Sequence, residues 1–285
     1  MLKYLLTALV FVMIAVFAVV LATDLIRHRH ELKDEPGDPR LLSVMAPIIL
    51  LIATMGVSDF VMDTLFFKKC NLVDDKRLPG SLIAVGAIPL GTVGAAYLLS
   101  AQVDFKLVAV CMACQSAGTW LGARTVSGWE GKRIKKAVAW AMLASAGFLL
   151  LRLLGIGGEG GSLTSFPLYK MVICGAVAAF LGFCSMFGMG AKAPYLSLLL
   201  MLGLSANCVL PVIMPTCTVS GIVGGIQYVR KGLYQRKLAL IYCTAGFIGI
   251  GAGFLFVLNL PEIVLQVIMM AITIYTGVSM LRKKD

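Results

Sequence analysis

Residues 167–203 read PLYKMVICGAVAAFLGFCSMFGMGAKAPYLSLLLMLG, and after Lys170 the only charge in the stretch is Lys192. As one helix these residues would be roughly 55 Å long at about 1.5 Å per residue. A bilayer's hydrocarbon core is only about 30 Å thick, so the segment has to turn back. Gly188-Met189-Gly190, followed by Pro194, is where the sequence permits the turn. Broken backbone at membrane depth survives only where protein buries it or where it lines a cavity.

Working outward, charge-free apolar runs recur at 4–23, 79–103, 171–191, 193–229, 238–261 and 263–281, with shorter ones at 41–58, 107–123 and 137–151. Hydrophobic residues make up 59% of the 285 and charged residues 14%, with a mean hydropathy of +0.93. Soluble domains carry about 25% charged residues. The chain is therefore expected to be an all-α polytopic membrane protein with no soluble domain. The net charge of +11 points to topology and not to nucleic acid. Lys and Arg cluster at 27–40, 68–77, 124–136, 230–237 and 282–284, as cytoplasmic loops of a multi-pass protein require. The apolar run after Lys3 is longer than a signal-peptide core and ends at Ala22-Thr23-Asp24 without a clear cleavage site, so it reads as a retained helix.

Placing the basic tail in the cytoplasm makes residues 167–203 start and end outside. Residues 41–67 then start and end inside and break at Gly56-Val57-Ser58-Asp59, as a re-entrant hairpin. Each half of the chain is thus a broken hairpin followed by three helices, in opposite orientations. Gly91 and Gly94 match Gly221 and Gly224, Lys106-Leu107 matches Lys237-Leu238, and Gly118-x-x-x-Gly122 matches Gly249-x-x-x-Gly253. Small residues at that spacing let helices approach closely in lipid. The expected organisation is an N-terminal helix and charged hinge (1–40), a first repeat (41–154), a Gly-rich linker (155–166) and a second, inverted repeat (167–285). Inverted repeats with broken helices are a secondary-transporter layout, with the site near the midplane.

The second half has a further feature. GFCSMFGMGAKAPYLSLLLMLG (182–203), VSGIVGGIQYVRKGLYQRKLAL (219–240) and GFIGIGAGFLFVLNL (246–260), in that order, resemble the sulfite exporter TauE/SafE family, also called the toluene-sulfonate uptake permease family. The resemblance implies two membrane repeats and transport of small sulfur-containing or organic anions, with export the expected direction. It departs from the family where a Gly-rich break becomes Gly188-Met189-Gly190-Ala191-Lys192, and where Pro211-Val212-Ile213-Met214-Pro215-Thr216 replaces a small polar stretch.

Lys192 stands between charge-free runs of 21 and 37 residues. Intramembrane charges face a cavity or a partner, and a helix N-terminus suits an anion. Gly188, Gly190, Lys192 and Pro194, with Gly56 and Ser58 of the first hairpin, are the candidate substrate-binding residues. Ser58 is placed to cap the half-helix after its break. Asp59 is the candidate charge partner or proton-coupling residue, and Asp63 shares its helix face. No metal site is expected from His28 and His30, which lie in one loop, and no cofactor is expected.

The function expected is a non-enzymatic secondary transporter of a small anion in the plasma (inner) membrane. Its partners would be that anion and membrane lipid, with no nucleic acid and with homo-oligomerisation left open. Two other readings stand beside it. One is a membrane-embedded thiol oxidoreductase using Cys111 and Cys114, and the other is a non-transporting assembly subunit.

Overall fold

A computed structural model describes residues 2–54, 58–100, 103–153 and 161–255. The helix expected at 263–281 and the glycine at position 56 lie outside these residues. Within them the chain is all-helical, and the one β-type pairing is an isolated bridge between Leu163 and Leu204.

The first half comprises α1 (Leu2–Arg27), α2 (Glu31–Asp34), α3 (Pro39–Thr54), α4 (Asp59–Lys69), α5 (Leu78–Ala87), α6 (Pro89–Ser100), α7 (Phe105–Val126) and α8 (Gly131–Leu153). The second half comprises α9 (Leu168–Ser185), α10 (Lys192–Met201), α11 (Ala206–Arg230) and α12 (Arg236–Leu255). Among the described residues three helices, α1, α9 and α11, are long and apolar enough to cross a membrane. A fourth span arises if α5 and α6 are taken as one. That pair corrects the continuous helix expected at 79–103, because it bends by 48°. Pro89 has no N–H to give to the helix ladder and its ring crowds the preceding turn, while Ile88 itself keeps helical dihedrals. The two prolines inside α11, Pro211 and Pro215, leave that helix unbroken.

α7 packs along both α9 and α11, and α12 packs along α3; the α7–α9 and α12–α3 pairs are close approaches. Both are made by the matched glycines. A Cβ on Gly118 would lie 1.9 Å from the Ala179 carbonyl oxygen, and one on Gly122 would lie 2.7 Å from that of Phe183. A Cβ on Gly249 would lie 1.9 Å from the Pro47 carbonyl oxygen, and one on Gly253 would lie 2.3 Å from Thr54 Oγ1. Rigid backbone cannot yield to such contacts, so Gly118→Ala and Gly249→Ala should each push their helix pair apart. The expected result is a matching loss of monodisperse protein on detergent gel filtration. Gly147→Ala, with open space at the position, should leave the profile unchanged.

The basic loops converge at one end of the bundle. Lys231 Nζ donates to Ser127 Oγ at 2.5 Å, Lys68 pairs with Asp75, and Gly80 lies against the Leu233 carbonyl. The segment before residue 40, read from sequence only as a charged hinge, closes this end. Arg236 donates to Asp24 at 2.8 Å and to Glu31 at 2.6 Å. The buried Glu35 carboxylate accepts from the backbone N–H groups of Arg236 (3.2 Å) and Lys237 (2.6 Å). Those N–H groups open α12 and have no partner within it, so Glu35 caps the helix from 200 residues away in sequence. Removing a helix cap costs about 0.5–2 kcal/mol. Glu35→Ala should therefore lower the melting temperature in detergent by several degrees without changing the oligomeric profile.

At the opposite end Leu163 and Leu204 meet. Ser205 N donates to the Leu163 carbonyl at 2.8 Å, and Lys170 Nζ donates to the Leu202 carbonyl at 2.6 Å.

Candidate functional site

Two short helices set the site. α4 has 11 residues and ends in Lys68-Lys69 at the basic end. α10 has 10 residues and ends beside Lys170 at the other. Each spans roughly 15 Å, about half the hydrocarbon thickness. They run outward to opposite ends of the bundle from N-termini that meet inside it. The first residue of α4 is Asp59 and the first of α10 is Lys192. Lys192 Nζ donates to Asp59 Oδ1 at 2.7 Å, with side-chain exposures of 11% and 3%.

The breaks themselves are in contact. Gly188 has φ +86°, a left-handed conformation that glycine adopts without steric cost. A Cβ on Gly190 would lie 2.3 Å from Ser58 Oγ. Ser58 holds the N-cap position of α4, but its hydroxyl makes no capping bond and no other hydrogen bond to protein. This corrects the expected cap: the hydroxyl is turned against Gly190 instead. α10 likewise begins without a side-chain cap, at Ala191. Pro194, in its first turn, has no N–H. Both half-helices thus present uncapped N-termini, with their free N–H groups and the positive end of the helix dipole.

Between the breaks and the helices α5, α7 and α11 lies a cavity of about 80 Å³, room for several waters or one small anion. Ser58, Asp59, Gly190 and Lys192 line it. Gly188 and Pro194 do not; they are buried beside it and shape the break. On α5, Gly86 leaves room for the carboxylate: a Cβ there would lie 3.2 Å from Asp59 Oδ2.

Sequence reasoning missed Gln115, Ser185, Cys217, Thr218 and Ser220, which also line the cavity. Gln115 Nε2 donates to Cys217 Sγ at 3.6 Å, while its Oε1 is buried without a hydrogen-bond partner in protein. An unpaired amide oxygen is costly to bury, so the cavity is built for a polar occupant. Gln115 is the lone amide in the apolar run 107–123, and that was the available signal.

Residues 171–285 match the family model for the sulfite exporter TauE/SafE. The resemblance read from the sequence is the one found. No curated protein and no solved structure matched the chain. The TauE/SafE match takes in Lys192, Gly190 and the cavity face of α11, and leaves Asp59 and Ser58 outside it.

Cys111 and Cys114 gain nothing from the structure as a thiol pair. Cys111 is fully buried in α7, Cys114 lies against Gly175 of α9, and both are free thiols. A reactive thiolate needs an electropositive, partly exposed setting. Among the described residues no cluster of His, Cys, Asp or Glu could hold a metal ion.

Proposed function

We propose that this chain is a secondary transporter that exports a small, sulfur-containing or organic anion such as sulfite or a sulfonate across the plasma membrane. The single observation carrying the reading is the buried Lys192–Asp59 pair at the facing N-termini of two half-helices, beside a polar-lined cavity. The TauE/SafE match supports the substrate class. A buried lysine is tolerable only with a partner, and Asp59 supplies one when no anion is bound. An entering anion takes Lys192, the free N–H groups of α10 and the hydroxyl of Ser58, and Asp59 is released.

The inverted-repeat organisation belongs to the same reading. The repeats would be residues 41–154 and 167–285, joined by the linker 155–166 and preceded by the helix and hinge of residues 1–40. Its support is the exchange of partners, with α7 along α9 and α12 along α3, both sealed by equivalent glycines. Asp59 and Lys192 are then equivalent positions with opposite charges. The convergence of loops 68–77, 124–136 and 230–237 supports placing that end in the cytoplasm. Alternating access would be a rocking of one repeat against the other about the pair.

Efflux of labelled sulfite, methanesulfonate and a cation control from proteoliposomes tests the reading. The expected result is protein-dependent efflux of at least one of the two anions and none of the cation. Background efflux of every anion would leave the assembly-subunit reading standing instead.

A further inference from the structure

One turn along α4 from Asp59 lies a second acid that the anion site does not use. Asp63 is 1% exposed and does not line the cavity. Tyr242 of α12, itself fully buried, donates to Asp63 Oδ1 at 2.6 Å. The other oxygen, Oδ2, is buried with no hydrogen-bond partner in protein. Among the described residues, the charged or titratable groups facing this acid are Asp59 on its own helix, Lys192 of α10 and Tyr242 of α12. Cys243 of α12 turns to the Ala84 carbonyl, and Cys217 of α11 lies across the cavity. α5 carries no acid or base, and α3 has only Arg40, near its far end.

Two carboxylates and one cation thus share a buried site. With both acids ionised and Lys192 charged, the site holds one uncompensated negative charge, and burying that is expensive. With one proton on the pair, the empty site is neutral. An anion on Lys192 uses up the cation, and neutrality is restored only by a second proton on the pair.

We propose that Asp59 and Asp63 form a proton-coupling dyad that binds a proton together with each anion. The proposal rests on the anion-transport reading above; because proton and anion then travel together, the anion's own outward gradient, and not the proton gradient, drives export. The proton comes from bulk solvent as hydronium, whose O–H bond breaks to leave neutral water, and enters through Asp59, the only one of the two acids that lines the cavity. An O–H bond forms at a carboxylate oxygen of the dyad as the anion settles on Lys192, and the same bond breaks when the anion leaves. Bound anion and bound proton attract each other, so each raises the other's affinity by the same factor. Asp63 stores charge away from the anion, and Tyr242 is a positioning residue that steadies Asp63 in either form.

The test is infrared difference spectroscopy of the purified full chain on adding methanesulfonate, an anion that stays fully ionised, with thermal shift to report binding. In the wild type a protonated-carboxyl band should grow on anion addition, by roughly one proton per monovalent anion bound. In Tyr242→Phe the band should persist at a shifted frequency, because a hydrogen bond to Asp63 is gone. In the Asp59→Asn/Asp63→Asn double variant the band should be absent while the anion still shifts the melting temperature. Wild-type protein that binds anion with no change in the carboxyl region would overturn the dyad and leave the transport reading intact. So would a band that survives in the double variant, since another acid would then be its source. Wild-type protein that responds to neither methanesulfonate nor sulfite would count against the transport reading, and the dyad would fall with it.

Discussion

Lys192→Ala should abolish anion transport and weaken anion binding by at least about 100-fold. Among the described residues the side chain supplies the one full positive charge lining the cavity, where burial screens it little. A charge-assisted hydrogen bond is worth about 1.5–3 kcal/mol, and the anion would also face Asp59 with nothing to offset it. The remaining attraction, from two uncapped helix N-termini, is about 0.3–1 kcal/mol each. Because the variant strands a buried carboxylate, it should be run beside Lys192→Met/Asp59→Asn. That double variant removes both charges, so it should fold and melt near the wild type and still fail to bind. If it binds normally, the cation is not the anchor.

Asp59→Asn has the second-largest expected effect and acts in the opposite direction on binding. It leaves Lys192, 11% exposed, without its ionic partner. Breaking a buried pair by removing one side costs about 3–5 kcal/mol. The Asp63 carboxylate is a poorer substitute, being a turn away and already held by Tyr242. The anion-free protein should therefore melt well below the wild type. Added anion should restore most of the difference, producing a larger thermal shift than in the wild type. Affinity should be kept or increased, since the anion no longer has to displace a carboxylate. Flux should fall, because the empty carrier must return across the membrane with a bare buried cation. Melting curves with and without anion, together with efflux rates, separate the effects. Tight binding with undiminished flux would show that Asp59 is not needed for the return step.

The residues legible in the sequence were those whose chemistry is conspicuous in an apolar setting. Lys192 and Asp59 stood out as charges with no water to solvate them, and the structure pairs them at 2.7 Å. The breaks were legible because Gly188-Met189-Gly190 interrupts a run too long for one crossing. The small polar lining was not legible. Ser185, Thr218 and Ser220 each donate to a backbone carbonyl three or four residues earlier. Such self-satisfied hydroxyls occur throughout membrane helices, and nothing local shows which of them also face a cavity. The bend at Ile88 was missed because Pro89 sits in an apolar run of full membrane length, while Pro211 and Pro215 in a similar run leave α11 unbroken. Glu31 and Glu35 read as part of a hinge because their partners, Arg236 and Lys237, are 200 residues away. The pairing of Asp63 with Tyr242 across 179 residues was hidden for the same reason.

The central claim is that an anion replaces Asp59 on Lys192 during transport. Efflux of labelled sulfite from proteoliposomes carrying equal amounts of folded wild-type or Lys192→Ala protein tests it most directly. The expected result is rapid efflux from the wild type and, from the variant, efflux no faster than from protein-free liposomes. Equal rates from the two proteins would contradict it and make Lys192 merely the counter-charge of a structural ion pair.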